Sequence, residues 1–223
     1  MGGAIGQSLP VAVGVLVSPL PIVAVVLMLV SRRARANALA FVAAWFVAVF
    51  AVVAVVALVA GNASPDADGP APWTGWLKIV LGVLLLFLSV RQWRGRPKPG
   101  VEPPAPRWMA AIDGFTPARS AGLAVLLAVV NPKNLLLVVS GGLAVAGAGA
   151  QEASTTLVAA LVFAAVASAG VATPVVIYFS MGTRGGKVLD ELKSWMIHNN
   201  ATIMTVLLLV LGAKLLGDGI SIV

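Results

Sequence analysis

Six long apolar stretches, separated by short polar or charged segments, run the length of the chain. They lie at about residues 8–30, 37–60, 74–91, 118–143, 153–180 and 201–220, each near the ~20 residues that a helix needs to cross a bilayer. The runs are continuous rather than alternating, and backbone in lipid must satisfy its own hydrogen bonds, so helices are expected and strands are not. The pattern predicts an all-α membrane protein with six transmembrane helices. One longer polar interval, Arg96-Pro-Lys-Pro-Gly-Val-Glu-Pro-Pro-Ala-Pro106, is proline-rich and expected to be extended, without a core of its own. It divides the chain into a first three-helix unit (1–95), a linker (96–117) and a second three-helix unit (118–223). Within the linker Trp108, Met109, Ile112 and Phe115 recur at helical spacing. A short helix in the cytoplasmic interface and a packed linker without lipid contact both fit. The N-terminus lacks the basic region of a signal peptide, so the first apolar run is expected to stay in the mature protein.

Composition sharpens this picture. Hydrophobic residues make up 60% of the 223, charged residues only 10%, and the mean hydropathy is +1.01. A soluble domain is about half apolar and a quarter charged, so the excess must face lipid. The charge of +7 would suggest nucleic acid in a soluble protein, but here its distribution explains it. Twelve of the 15 basic residues fall in three segments, at 31–36, 91–119 and 181–199. The intervening segments 61–73 and 144–152 have none. The positive-inside rule places the three basic loops in the cytoplasm and both termini outside. No nucleic-acid partner is expected. There are no cysteines and one histidine, His198, so neither a metal site nor thiol chemistry is indicated.

The first and fourth apolar stretches are interrupted at mid-depth, by Ser18-Pro-Leu-Pro21 and by Asn131-Pro-Lys-Asn134. Pro19 and Pro132 occupy matching places, 113 residues apart. Proline removes a backbone donor and clashes with the preceding turn, so both helices should break there. Ser18 and Asn131 are suited to N-cap the restarting half-helices, with proline at the first helical position. Irregular backbone at this depth needs a protein-lined or wet cavity, and matched interruptions in two inverted halves point to a transport site. The alternative is a pair of structural kinks. Lys133 lies inside the second break, where an unpaired cation costs about 2.5–3.5 kcal/mol, and none of the apolar cores holds an Asp or Glu to pair with it. A lysine beside two helix N-termini would form an anion site. The competing account binds Lys133 to backbone carbonyls of its own broken helix. The candidate substrate-binding residues are therefore Ser18, Pro19, Pro21, Asn131, Pro132, Lys133 and Asn134.

The third and sixth stretches also match, Val83-Leu-Leu-Leu-Phe-Leu-Ser-Val-Arg91 against Val206-Leu-Leu-Leu-Val-Leu-Gly-Ala-Lys214. The two halves thus read as inverted-topology repeats. Lys78, Arg91 and Lys214 are expected to snorkel to the nearest interface. Thr173-Pro174 should kink the fifth helix. The small-residue run Ser140 to Gly149 suits a close helix crossing, a flexible outer end or a dimer face. The chain holds no phosphate-cradling glycine loop, catalytic triad or core carboxylate relay, so no enzyme activity and no cofactor are expected.

With Ser18-Pro-Leu-Pro21, Arg33-Ala-Arg-Ala-Asn-Ala-Leu-Ala-Phe41, Trp108 before Asp113, Asn131-Pro-Lys-Asn-Leu135 and the region from Trp195 to Gly212, the chain resembles the lysine-exporter superfamily. Within it, the chain is most similar to the actinobacterial glycolipid-addressing, or sulfolipid-addressing, proteins. The resemblance implies an inner-membrane protein that helps move a cell-envelope lipid or glycolipid toward the surface, and Lys133 with the two helix N-termini points to an anionic head group. It leaves two other readings open: export of a small solute such as an amino acid, and a non-transporting scaffold for lipid-synthesis enzymes. The partners expected are membrane lipids and the anionic lipid itself, with a homo-oligomer or lipid-synthesis enzymes as further candidates.

Overall fold

A computed structural model describes residues 2–62, 72–96, 109, 111–148, 152–181 and 183–223. Among them the structure is helical apart from short turns and breaks, without strands. The chain forms α1 (Gly2–Leu16), α2 (Pro19–Leu29), α3 (Ala34–Asn62) and α4 (Pro72–Arg94). A 3-10 turn (Ile112–Gly114) leads to α5 (Pro117–Val125), a π segment (Leu126–Val130), α6 (Pro132–Ala146), α7 (Ala153–Met181) and α8 (Thr183–Ile220). Four of these helices are long and apolar enough to cross a membrane, and up to six spans result if each bent pair counts as one. Their outer faces remain apolar, with Val47, Val55, Val80, Phe87, Val176 and Val210 all exposed. Such surface is stable only against lipid, and the protein is a multi-pass membrane protein.

The two bent pairs are the interrupted stretches. α1 and α2 meet at 53° across Val17 and Ser18, and α5 with its π segment meets α6 at 68° across Asn131. α1 and α6 pack together at the centre of the bundle. α3 lies along α5 and α6, while α7 lies along α1 and α2. Each long helix therefore covers the broken pair from the other part of the chain. Gly170 of α7 seats against the carbonyl of Leu16, the last residue before the first break, where no side chain could fit.

α4 and α8 run antiparallel and share the most extensive helix contact among the described residues. A Cβ on Gly82 would lie 2.9 Å from the carbonyl oxygen of Gly212, and one on Gly219 2.8 Å from that of Gly75. Farther along, Ser89 Oγ donates to the Thr205 carbonyl at 2.8 Å. Small residues seven apart on each helix thus bring the backbones together, as dispersion-driven packing in lipid favours. The small-residue run after Ser140 is in part a close crossing as well. A Cβ on Gly142 would meet Val56 at 2.6 Å, and Gly141 faces the Phe163 ring.

The structure corrects two expectations, for segment 181–199 and for Lys78. Segment 181–199 is not a loop, because from Thr183 it is helical and continuous with the last span. Leu189 and Met196 are buried there and Lys193 pairs with Asp190 at 2.7 Å, so an apolar stripe and a local ion pair hold the helix past the membrane. Lys78 does not snorkel. It is 7% exposed, with its ammonium beside Gly147 at the end of α6 and Asp218 and Lys214 as its charged neighbours. α7 continues through Pro174 without a break. Finally, Ile112 is buried and the Phe115 carbonyl accepts from Asn37 Nδ2 at 3.1 Å, so the end of the linker packs on the protein. Trp108 and the proline-rich stretch 97–108 lie outside the described residues.

Candidate functional site at the two helix breaks

The two breaks meet. Ser18 Oγ donates to Asn134 Oδ1 at 3.1 Å and accepts from Lys133 Nζ at 3.0 Å. Asn134 Nδ2 donates in turn to the Leu127 carbonyl at 2.7 Å. One directional chain of bonds thus runs from the ammonium, through a residue 115 positions away, and back to the helix before the second break. Ser18 and Asn134 are 1% and 0% exposed.

Local sequence explains why these side chains are free for one another. Asn131 caps α6 as expected, its Oδ1 accepting from the Lys133 backbone N–H at 3.2 Å. Ser18 occupies the N-cap position of α2 but makes no capping bond, which corrects the sequence expectation. An N-cap side chain accepts from the second or third helical N–H, and the third residue here is Pro21, which has none. The Ser18 hydroxyl is left for the tertiary contact. The second break has its own device. From Leu126 the helix widens to a π turn, with the Asn131 N–H reaching the Leu126 carbonyl at 2.9 Å. That register shift leaves the Leu127 carbonyl to Asn134, and π turns recur at functional sites for this reason.

The other predicted residues have backbone roles. Pro19 and Pro21 are buried in the first turn of α2, and Pro132 is exposed at the start of α6. They create the breaks but do not join the polar cluster. Met204 of α8 does, with its Sδ 2.7 Å from Lys133 Nζ. No sequence signal marked it, since a methionine in an apolar span reads as core. Among the described residues the ammonium meets Ser18 Oγ and Met204 Sδ and no backbone carbonyl. The ion pairs found there are Lys193–Asp190 and Lys214–Asp218, and Lys133 belongs to neither. Lys133 lies deep in the bundle yet keeps accessible surface. An ammonium has three donors, so one N–H remains for a ligand.

A family model described as Sap, sulfolipid-1-addressing protein, matches residues 9–221. The chain belongs to this family. The match takes in both breaks, Lys133 and Met204, and the family's description points to a lipid-related role. No curated protein and no solved structure matches the chain significantly. The features just described therefore rest on the geometry of this family member itself.

Proposed function

We propose that the protein is a transporter or flippase for an anionic cell-envelope lipid or glycolipid, held by its head group at the two helix breaks. The observation that carries this reading is Lys133. Its ammonium sits where two helix N-termini converge, its partners are neutral, and among the described residues no carboxylate pairs with it. A phosphate, sulfate or carboxylate would supply the missing charge, and the ends of α2 and α6 add positive potential at the same point. Head group and protein need only non-covalent contacts, so the reading involves no catalysis and no cofactor. The family description, with its sulfolipid, supports a lipid substrate over a small solute.

Alternating access in this reading rests on two inverted three-helix repeats, 1–95 and 118–223, in an inner membrane with both termini outside. The α4–α8 contact supports it. The offset of 123 residues that matches Val83 to Val206 exchanges Gly82 with Thr205 and Ser89 with Gly212. The Gly82–Gly212 approach and the Ser89–Thr205 bond are then images of one another, as a two-fold axis between the repeats requires.

Lys133→Met tests the site. Ser18 keeps its bond to Asn134 in this variant, and an apolar chain of similar length loses the desolvation cost of the ammonium. The melting temperature should hold or rise. Binding of an anionic lipid should fall tenfold or more, because a charge-assisted bond contributes about 1.5–3 kcal/mol. Lys133→Arg should retain part of the affinity. Unchanged lipid binding and unchanged flux in proteoliposomes, in a well-folded Lys133→Met protein, would end the proposal.

A further inference from the structure

A second lipid-facing feature lies between α3 and α7. There the two helices run antiparallel and leave a lateral groove of about 480 Å³, open along its length and lined by Leu39, Val42 and Phe46 on one side and Ser168, Ala169 and Ala172 on the other. The volume falls within the ~300–1,000 Å³ of ordinary ligand sites. The α3 stripe begins one turn earlier with Arg35, which shares its face at helical spacing with Leu39, Val42 and Phe46. Arg35 is exposed, and its guanidinium lies over the Phe179 ring of α7, 5.5 Å from the centroid, so one end of the groove closes under a cation. Arg32 and Arg33 are exposed just before it. In the α7 wall the Ser168 hydroxyl is buried, with no hydrogen-bond partner among the described residues.

We infer that this groove binds one anionic membrane lipid, an acyl chain lying between α3 and α7 and the head-group anion at Arg35. The charge pattern selects the occupant. An apolar slot headed by arginines at one end matches an acyl chain joined to a phosphate or sulfate, whereas a zwitterionic lipid gains less, because its own cation offsets the phosphate. The groove also adjoins the breaks. Gly170, in the same turn of α7 as Ser168, Ala169 and Ala172, touches the Leu16 carbonyl from the other side of the helix. A lipid held there waits one helix away from Lys133. This inference deepens the reading of the broken-helix site as a head-group site and rests on it.

The test uses the full chain in nanodiscs containing phosphatidylglycerol or phosphatidylcholine with a photoactivatable acyl chain, and maps the cross-links by mass spectrometry. Labelling should concentrate on 39–47 and 165–172, with phosphatidylglycerol favoured severalfold. Ala43 and Ala169 are exposed, so Ala43→Trp and Ala169→Trp can fill the groove without entering the core, and each should cut the labelling at least fivefold. Val83→Trp, on the exposed face of α4, should change nothing. Arg35→Gln should bring the two lipids to near-equal labelling. An even spread of cross-links over all outward-facing helices in the unmodified protein, the mark of an annular lipid only, overturns the inference, as does labelling that survives both tryptophans. Lys133→Met separates the two proposals. It should abolish flux and leave groove labelling intact. Loss of flux without any groove labelling refutes the groove alone, and groove labelling with flux intact refutes the Lys133 site alone.

Discussion

Ser18 concentrates most of what is unusual at the level of single residues. Its hydroxyl is both acceptor for Lys133 and donor to a buried amide, and it is released for these roles by the missing N–H of Pro21. Ser18→Ala would leave Asn134 Oδ1 buried without a donor, a loss of about 1–3 kcal/mol. For a chain of this size that corresponds to a fall of several degrees in Tm, roughly 2–4 °C per kcal/mol. Lys133→Met removes the donor to Ser18 Oγ but leaves that hydroxyl bonded to Asn134, and it relieves the desolvation cost of the ammonium, so its Tm should hold. The two variants are thus expected to part company, Ser18→Ala losing stability and Lys133→Met losing ligand. A Ser18→Ala protein that melts with the parent would mean that the contact across the breaks contributes nothing to holding them together.

Among the elements, α4 and α8 carry the clearest consequence of sequence spacing. Gly75 and Gly82, and Gly212 and Gly219, lie seven apart, and the antiparallel pairing sets each against its partner's backbone. Gly82→Val would push a side chain into a carbonyl oxygen and a backbone nitrogen of α8, both about 2.9 Å from the new Cβ. Neither can rotate away, so the helices must separate, at a cost of about 1–3 kcal/mol or more. Gly217, in the same helix, has nothing within 4 Å, and Gly217→Ala should gain roughly 0.5–1 kcal/mol of helix propensity. Thermal melts of the two variants should move in opposite directions. α8 is also unusual in length. Its 38 residues span about 57 Å at ~1.5 Å each, well beyond a ~30 Å hydrocarbon core, so its first half stands outside the membrane.

For the whole molecule, the long helix of each part of the chain covers the broken pair of the other, and α4 and α8 close the bundle along one side. Interlocked packing of this kind makes orientation a property of the entire chain. The split of basic residues between loops then gives a direct expectation for single cysteines in a chain that has none. Cysteines at Asp66 and Ala148 should react with an impermeant thiol reagent on intact cells, and one at Gly100 should react only after permeabilisation. Labelling of Gly100 from outside would overturn both the orientation and the inverted repeat.

What the linear sequence determined were the features set by local chemistry. Continuous apolar runs place helices in lipid, and prolines at 19, 21 and 132 break two of them, because both effects act within a few residues. Lys133 stood out for the same reason, as an ionisable group at mid-depth in runs whose one carboxylate, Asp218, stands near the end of the last of them. The helical course of 183–199 was within reach too, in the Leu189, Leu192 and Met196 stripe, but the clustered charges read as a loop. Tertiary structure alone decided that the breaks touch, that Ser18 serves Asn134 instead of its own helix, and that Met204 lies against the ammonium. These are contacts between residues 71 to 116 positions apart, and sequence periodicity describes one helix at a time. The burial of Lys78 belongs with them, since a lysine near a helix end reaches water or not according to which neighbour stands in its way, and here α6 and α8 do.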